Sequence, residues 1–238
     1  MTRRRWIADE VLGNRAALTG QHADHLVRVL RARVGQQFDI VANTAIRRGT
    51  IVSIADGRVD FDLGEELSAE SAAIHLVVLL SIFKFDRLEW AIEKCTELGV
   101  SRIVPVIARR TDSHLASASA KRVERWRRIA LQAAEQSRRS TPPEISDPIK
   151  LRDALAIPAK SKIVLSEAEE RVQLPETPNP SGDGDVLLAV GPEGGWTEDE
   201  LDLFQKEGWI SASLGPTILR AETAAIAATA ITMSSLTR

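Results

Sequence analysis

At 238 residues, 44% of them apolar, the chain can close one large core or a small and a medium one, while its formal net charge of −2, taken alone, argues against a nucleic-acid protein. A single cysteine, Cys95, excludes an internal disulfide framework and suits a reducing cytosol. No apolar stretch is long enough to span a bilayer, and Arg3-Arg4-Arg5 leads into a charge-broken segment instead of a signal peptide, so a cytoplasmic protein with no membrane partner is expected.

Charge is unevenly spread. Residues 1–33 and 71–150 carry an excess of Lys and Arg, and residues 151–238 an excess of Asp and Glu. A basic front can present a phosphate-binding face whatever the total, because steering depends on the local field.

In chain order, residues 1–70 are expected to form a separate, mainly β module. The runs 37–41, 49–54 and 58–63 alternate with turn residues between, the pattern of a small barrel, and Asn43 can supply the turn after the first. Ahead of them, His25–Arg33 reads as a helix with Leu26, Val29 and Leu30 on one face and Arg28 and Arg31 around the other. That basic face is either solvated or set against a phosphate backbone.

A polar connector, 65–71, marks the boundary, and residues 71–238 read as a second, α/β domain. Ile74–Ile82 is its first buried strand. A helix follows, with Asp86 as cap, Glu89 in the reciprocal position and Phe85 opposite Trp90 as a staple. Leu88, Ala91, Ile92, Cys95 and Leu98 share its core face, Gly99 ends it, and Glu89, Glu93 and Glu97 form a row of like charge. Arg102–Ile107 is a strand whose Pro105 predicts an edge or a bulge. Lys121–Arg139 reads as a basic helix, with Arg125, Arg128 and Arg139 on its polar side and Arg138 near its end, again solvated, phosphate-facing or dimer-facing. Lys162–Glu167 is a further strand, and 173–185, rich in Pro, Gly and Ser, a mobile surface loop.

The densest signal is Asp185–Glu222. Asp185–Val190 is a buried strand stopped by Gly191-Pro192-Glu193-Gly194-Gly195; Thr197 and Glu200 then write a capping box, with Trp196 and Leu201 as its staple. Ser211–Leu214 is a short strand followed by Gly215-Pro216-Thr217-Ile218-Leu219-Arg220, and an alanine-dense helix begins at Glu222. Two stiff bends at two strand ends predict one shared pocket at the carboxyl edge of a sheet. The loops fit neither G-x-G-x-x-G nor a phosphate loop. Four scattered histidines and no spaced carboxylates argue against a metal, and no G-x-S-x-G elbow points to a hydrolase.

VGPEGGWTEDE followed by SLGPTILRAETAA resembles the signature of the SPOUT class of RNA methyltransferases, and KFDRLEWAIEKCTELGVSRIVPV with ALQAAEQSRRSTPPEI narrows the likeness to the ribosomal RNA small subunit methyltransferase E family. The resemblance implies an α/β, SPOUT-type knotted methyltransferase domain preceded by a PUA-like β-barrel. It further implies S-adenosylmethionine as cofactor, N3 of a uridine in small-subunit ribosomal RNA as target, and a homodimer working on that RNA or on the assembled small subunit.

By the same resemblance the donor is cradled by Leu165, Ser166 and Glu167, by Gly191, Pro192, Glu193, Gly194 and Gly195, and by Leu214, Gly215, Ile218 and Leu219, with Thr223 and Ala224 beyond. Arg220, Glu193 and Glu222 are the catalytic candidates, because uridine N3 must lose a proton before it can attack. The RNA-contact candidates are Arg3, Arg4, Arg28, Arg31, Arg125, Arg128, Arg138 and Arg139. A different target such as a ribose 2′-hydroxyl, or a non-catalytic RNA-binding assembly factor, stays open at this point.

Overall fold

The computed structural model describes residues 5–43, 45–67, 74–139, 141–177 and 184–236. Arg3, Arg4 and residues 178–183 of the expected surface loop fall outside them. The chain divides into two compact units, one of residues 1–71 with 134–141, the other of 72–133 with 142–238.

In the first unit, β1 (Arg5–Ile7), β2 (Glu10–Leu12), β3 (Arg15–Thr19), α1 (Gly20–Asp24), β4 (Gln37–Ala42), β5 (Ala45–Ala55) and β6 (Arg58–Leu67) follow in order. The strands form a sheet ordered β1-β4-β5-β6-β3-β2, antiparallel except for the β1–β4 pair. Period-two alternation turns Ile40, Ile51, Val59, Phe61 and Leu63 inward, onto Trp6, Leu18 and Leu26. Asn43 takes φ +49° in the β4–β5 turn, as its short polar side chain allows.

The helix expected over His25–Arg33 is shorter and wider. A π-helical turn spans His25–Val29, with Leu30 N donating to the His25 carbonyl at 3.1 Å, and Arg31 at φ +52° ends it. The wider turn leaves Leu26 buried but rotates Val29 off the face expected of it, to 66% exposure.

His22 joins distant parts of this unit. Its Nδ1 lies 2.9 Å from Asp9 Oδ1 and its Nε2 3.4 Å from Glu135 Oε1, with the Trp6 ring edge-on to both His22 and His25. The Asp9 hydrogen bond holds the imidazole pKa above its ordinary value, and burial raises that of Glu135. For Asp9 itself, burial is outweighed by hydrogen bonds from His22 and the Thr19 N–H, and its value falls.

The second unit runs β7 (Ile74–Ser81), α2 (Phe85–Glu97), β8 (Arg102–Ile107), α3 (Ser113–Ser119), α4 (Val123–Gln136, whose last turn belongs to the first unit), β9 (Glu144–Ile145), β10 (Ile149–Lys150), α5 (Leu151–Leu155), β11 (Ser161–Leu165), β12 (Gly184–Val190), α6 (Glu198–Lys206), β13 (Ile210–Ala212) and α7 (Ala221–Leu236). Among the described residues every pairing is parallel, in the order β10-β8-β7-β12-β11-β13 with β9 also beside β8. Both faces are covered, one by residues of α2, α4 and α7, the other by residues of α5 and α6 with Trp196 and Trp209. That double cover is why β7 and β12 read as unbroken apolar runs.

Several local expectations give way to longer-range contacts. α2 begins at Phe85 with no side-chain cap: Glu89 turns instead to Arg125 at 2.8 Å and Arg122 at 3.6 Å, Trp90 is exposed, and Phe85 packs on Trp126. The row of like charge is neutralised, since Lys94 reaches both Glu93 and Glu97. Pro105 lies inside the sheet, not at its edge. β8 has β7 on one side, while its other side is shared by β9, up to Ile103, and β10, from Val106, so the missing N–H falls at the gap between them. The basic helix is α4 alone, preceded by α3, which Asp112 caps through the His114 N–H. Within the expected surface loop, Leu174–Glu176 forms a capped 3₁₀ turn with Leu174 buried. Cys95 is the core residue expected: its Sγ lies 3.4 Å from Thr229 Oγ1, and burial pushes its thiol up to about 11.

Candidate active site

Parallel strands end on the same side, so the loops after β11, β12 and β13 emerge together. They enclose a cavity of about 190 Å³. Leu165, Ser166, Glu167 and Ala168 contribute from the first strand end and loop, Val190–Glu193, Gly195 and Trp196 from the second, and Ala212–Leu219 from the third; Leu201, Ala221 and Ala224 complete the wall.

The second loop is fixed from several directions. The buried Trp196 indole donates to the Leu165 carbonyl at 3.0 Å, tying β11 to the loop after β12. A Cβ on Gly191 would stand 3.3 Å from that indole, and one on Gly195, at φ +68°, 3.0 Å from Glu167 Oε1. Arg110 Nη1 donates to the carbonyls of Gly194 at 2.6 Å and Trp196 at 3.1 Å. The capping box is formed: Thr197 N donates to Glu200 Oε2 at 2.9 Å, and Glu200 N to Thr197 Oγ1 at 3.3 Å. Glu200 is itself buried, and its Oε1 accepts from the Arg109 N–H at 2.7 Å, which joins the end of β8 to the start of α6.

Beside the cavity, Arg87 Nη1 donates to Glu193 Oε1 at 2.9 Å while its Nε lies 3.8 Å from Glu222 Oε1. Glu222 is 4% exposed, and its Oε2 has no hydrogen-bond partner among the described residues. Arg220 is exposed.

Of the expected donor contacts, Gly194 and Thr223 are absent from the cavity lining: Gly194 turns its carbonyl to Arg110, and Thr223 points to solvent from α7. Sequence reasoning missed Arg87 and Arg110. Arg87 lies in the first turn of α2, the helix after β7, and Arg110 in the loop after β8, both at the sheet edge that carries the glycine loops, which is a weak signal in sequence alone.

The RNA-contact candidates divide. Arg28, Arg31, Arg128 and Arg138 are exposed, Arg28 beside Asp24 at 3.3 Å. Arg125 is committed to Glu89. Arg139 is only partly exposed, and burial brings its pKa down to about 10.

The class follows from comparison with known proteins: a family model described as an RNA methyltransferase domain matches residues 70–233. Ribosomal RNA small subunit methyltransferase E of Rickettsia conorii is 33% identical over 217 residues, covering 90% of this chain and 87% of that one. Its counterpart in Mesomycoplasma hyopneumoniae is 35% identical over 155 residues, 63% of this chain and 66% of that protein. The chain belongs to the ribosomal RNA small subunit methyltransferase E family. Among solved structures, that of the Neisseria gonorrhoeae member bound to S-adenosyl methionine superposes with a TM-score of 0.85 at 31% identity, covering 96% of each chain.

Proposed function

We propose that this chain transfers a methyl group from S-adenosylmethionine to N3 of a uridine in small-subunit ribosomal RNA. The observation that carries the reading is the cavity at three adjacent strand ends, in a chain of this family. The residues present fit the donor. Leu165, Val190, Leu214 and Leu219 offer apolar walls for a flat base, the glycines leave main chain bare where a Cβ would intrude, and Glu167 and Glu193 bring carboxylates to a sulfonium cation. When bound, the donor supplies the electrophilic methyl carbon, so the protein has only to position, shield and manage one proton.

Uridine N3 carries a proton and must lose it to attack. Glu193 and Glu222 are the carboxylates available to accept it, and Arg220 the cation available to hold a developing charge on O2 or O4. Arg220→Ala then lowers methyl transfer far more than donor affinity, and equal losses in both would remove Arg220 from that role. The same reading takes the first unit as a PUA-like RNA grip with Arg28, Arg31 and Arg138 toward phosphate, the second, which carries Arg128, as a knotted domain that dimerises, and the site of action as the cytoplasm. Nucleoside mass spectrometry of small-subunit RNA from cells lacking the protein tests the target. Loss of one 3-methyluridine is expected, and loss of a ribose 2′-O-methyl group in its place would overturn the N3 assignment.

A further inference from the structure

We propose that Arg87 is a positioning residue of the donor pocket, acting through Glu193 and Glu222 on the cavity's two flanks; the inference rests on the donor-pocket reading above. Arg87 sits in the first turn of α2 and is not among the cavity-lining residues. Its guanidinium nonetheless meets one carboxylate from the loop after β12 and another from the first turn of α7, segments that each supply part of the lining, Pro192 and Glu193 from the one and Ala221 and Ala224 from the other. Arg110 grips the same loop through its carbonyls but makes no ion pair with α7 among the described residues. Arg87 is therefore the clasp between the two flanks.

Glu222 gives the second, independent observation. A buried carboxylate with one oxygen unpartnered needs a nearby cation, and the one within 4 Å among the described residues is Arg87. A planar fork suits two carboxylates at once. A lysine ammonium, a point charge on a flexible stem, does not fix both in one geometry. Glu193, half in solvent, would otherwise swing freely at the cavity rim.

The test is a double-substitution cycle read by titration calorimetry with S-adenosylmethionine, which needs no RNA. Arg87→Met and Glu193→Gln are each expected to weaken donor binding by about tenfold, and the double variant also by only about tenfold, because members of one network do not add. Independent losses that multiply to about a hundredfold would overturn the inference, as would an Arg87→Met variant that binds like the wild type. Arg87→Lys is expected to recover part of the affinity. Should Arg87→Met fail to fold with Glu222 left unpaired, the cycle is run in a Glu222→Gln background, where that buried carboxylate is gone. A wild-type chain that binds no donor would overturn the donor-pocket reading and this inference together; failure of the cycle in a wild type that does bind overturns the inference alone.

Discussion

Replacing Glu200 with alanine is expected to destabilise the second unit by about 2–3 kcal/mol, the sum of a lost cap at about 1 kcal/mol and a partly buried Arg109 N–H left without its acceptor at about 1–2 kcal/mol. The other donor to this carboxylate, Thr197 Oγ1 at 3.1 Å, adds little because Thr197 lies near water and can find a replacement. Glu200→Gln keeps the shape and one acceptor oxygen, so about 1 kcal/mol is expected. Urea unfolding followed by tryptophan emission reads the effect, since Trp196 and Trp209 lie in the core cluster beneath α6. Amide exchange should also quicken at Arg109, on the far side of the bond, as well as at Thr197. An alanine variant that loses less than about 1 kcal/mol, or a glutamine variant as unstable as the alanine one, would refute the claim that one carboxylate serves two segments.

Three further outcomes are expected. Gly195→Ala, which forces φ +68° on a residue with a Cβ and brings that carbon 3.0 Å from Glu167 Oε1, should weaken donor binding at least about tenfold, whereas Gly57→Ala, at φ +67° in open space in the first unit, should cost about 1–2 kcal/mol of stability and leave donor affinity intact; similar affinities in calorimetry would contradict this. The raised pKa of His22 means that the fold favours its charged form. That stability is complete below the ordinary value of 6.5 and is lost as pH rises through the raised folded value, so the first unit's urea midpoint should fall as the pH is taken upward from 6.5, and stay level in His22→Asn. Cys95, buried and with its thiol pushed up to about 11, should react with a thiol reagent only as fast as the second unit opens; immediate labelling of the native protein would place the thiol elsewhere.

What could be read ahead of the structure was what neighbouring residues decide among themselves. Thr197 and Glu200 stand three apart before an apolar run, and the capping box forms. Val186–Val190 is an unbroken apolar run, and it lies in the middle of a covered parallel sheet. Where the same logic failed, a distant partner had outbid the local one. Asp86 and Glu89 have capping-box spacing too, but Glu89 is drawn to Arg125 and Arg122, and the helix starts without it. The Pro105 expectation misjudged the ladder because the split between β9 and β10 depends on residues far downstream. The glycine bends at the candidate site were legible, since positive φ and bare main chain are written in residue type. Arg87 and Arg110 were not: an arginine in a first helical turn or after a strand is unremarkable until the chain brings Glu193 or the Gly194 carbonyl to it.

The first unit is built from two stretches of chain, 1–71 and 134–141, and Glu135 on the second stretch meets His22 on the first. During synthesis from the N-terminus its sheet can therefore pair early, but the imidazole has no second carboxylate until residues 72–133 of the other unit have left the ribosome. A gene fragment ending after residue 71 would encode the whole sheet but not the segment that carries Glu135. Grafting this module onto another protein would require carrying the later segment along, or supplying a substitute for the acid that completes it.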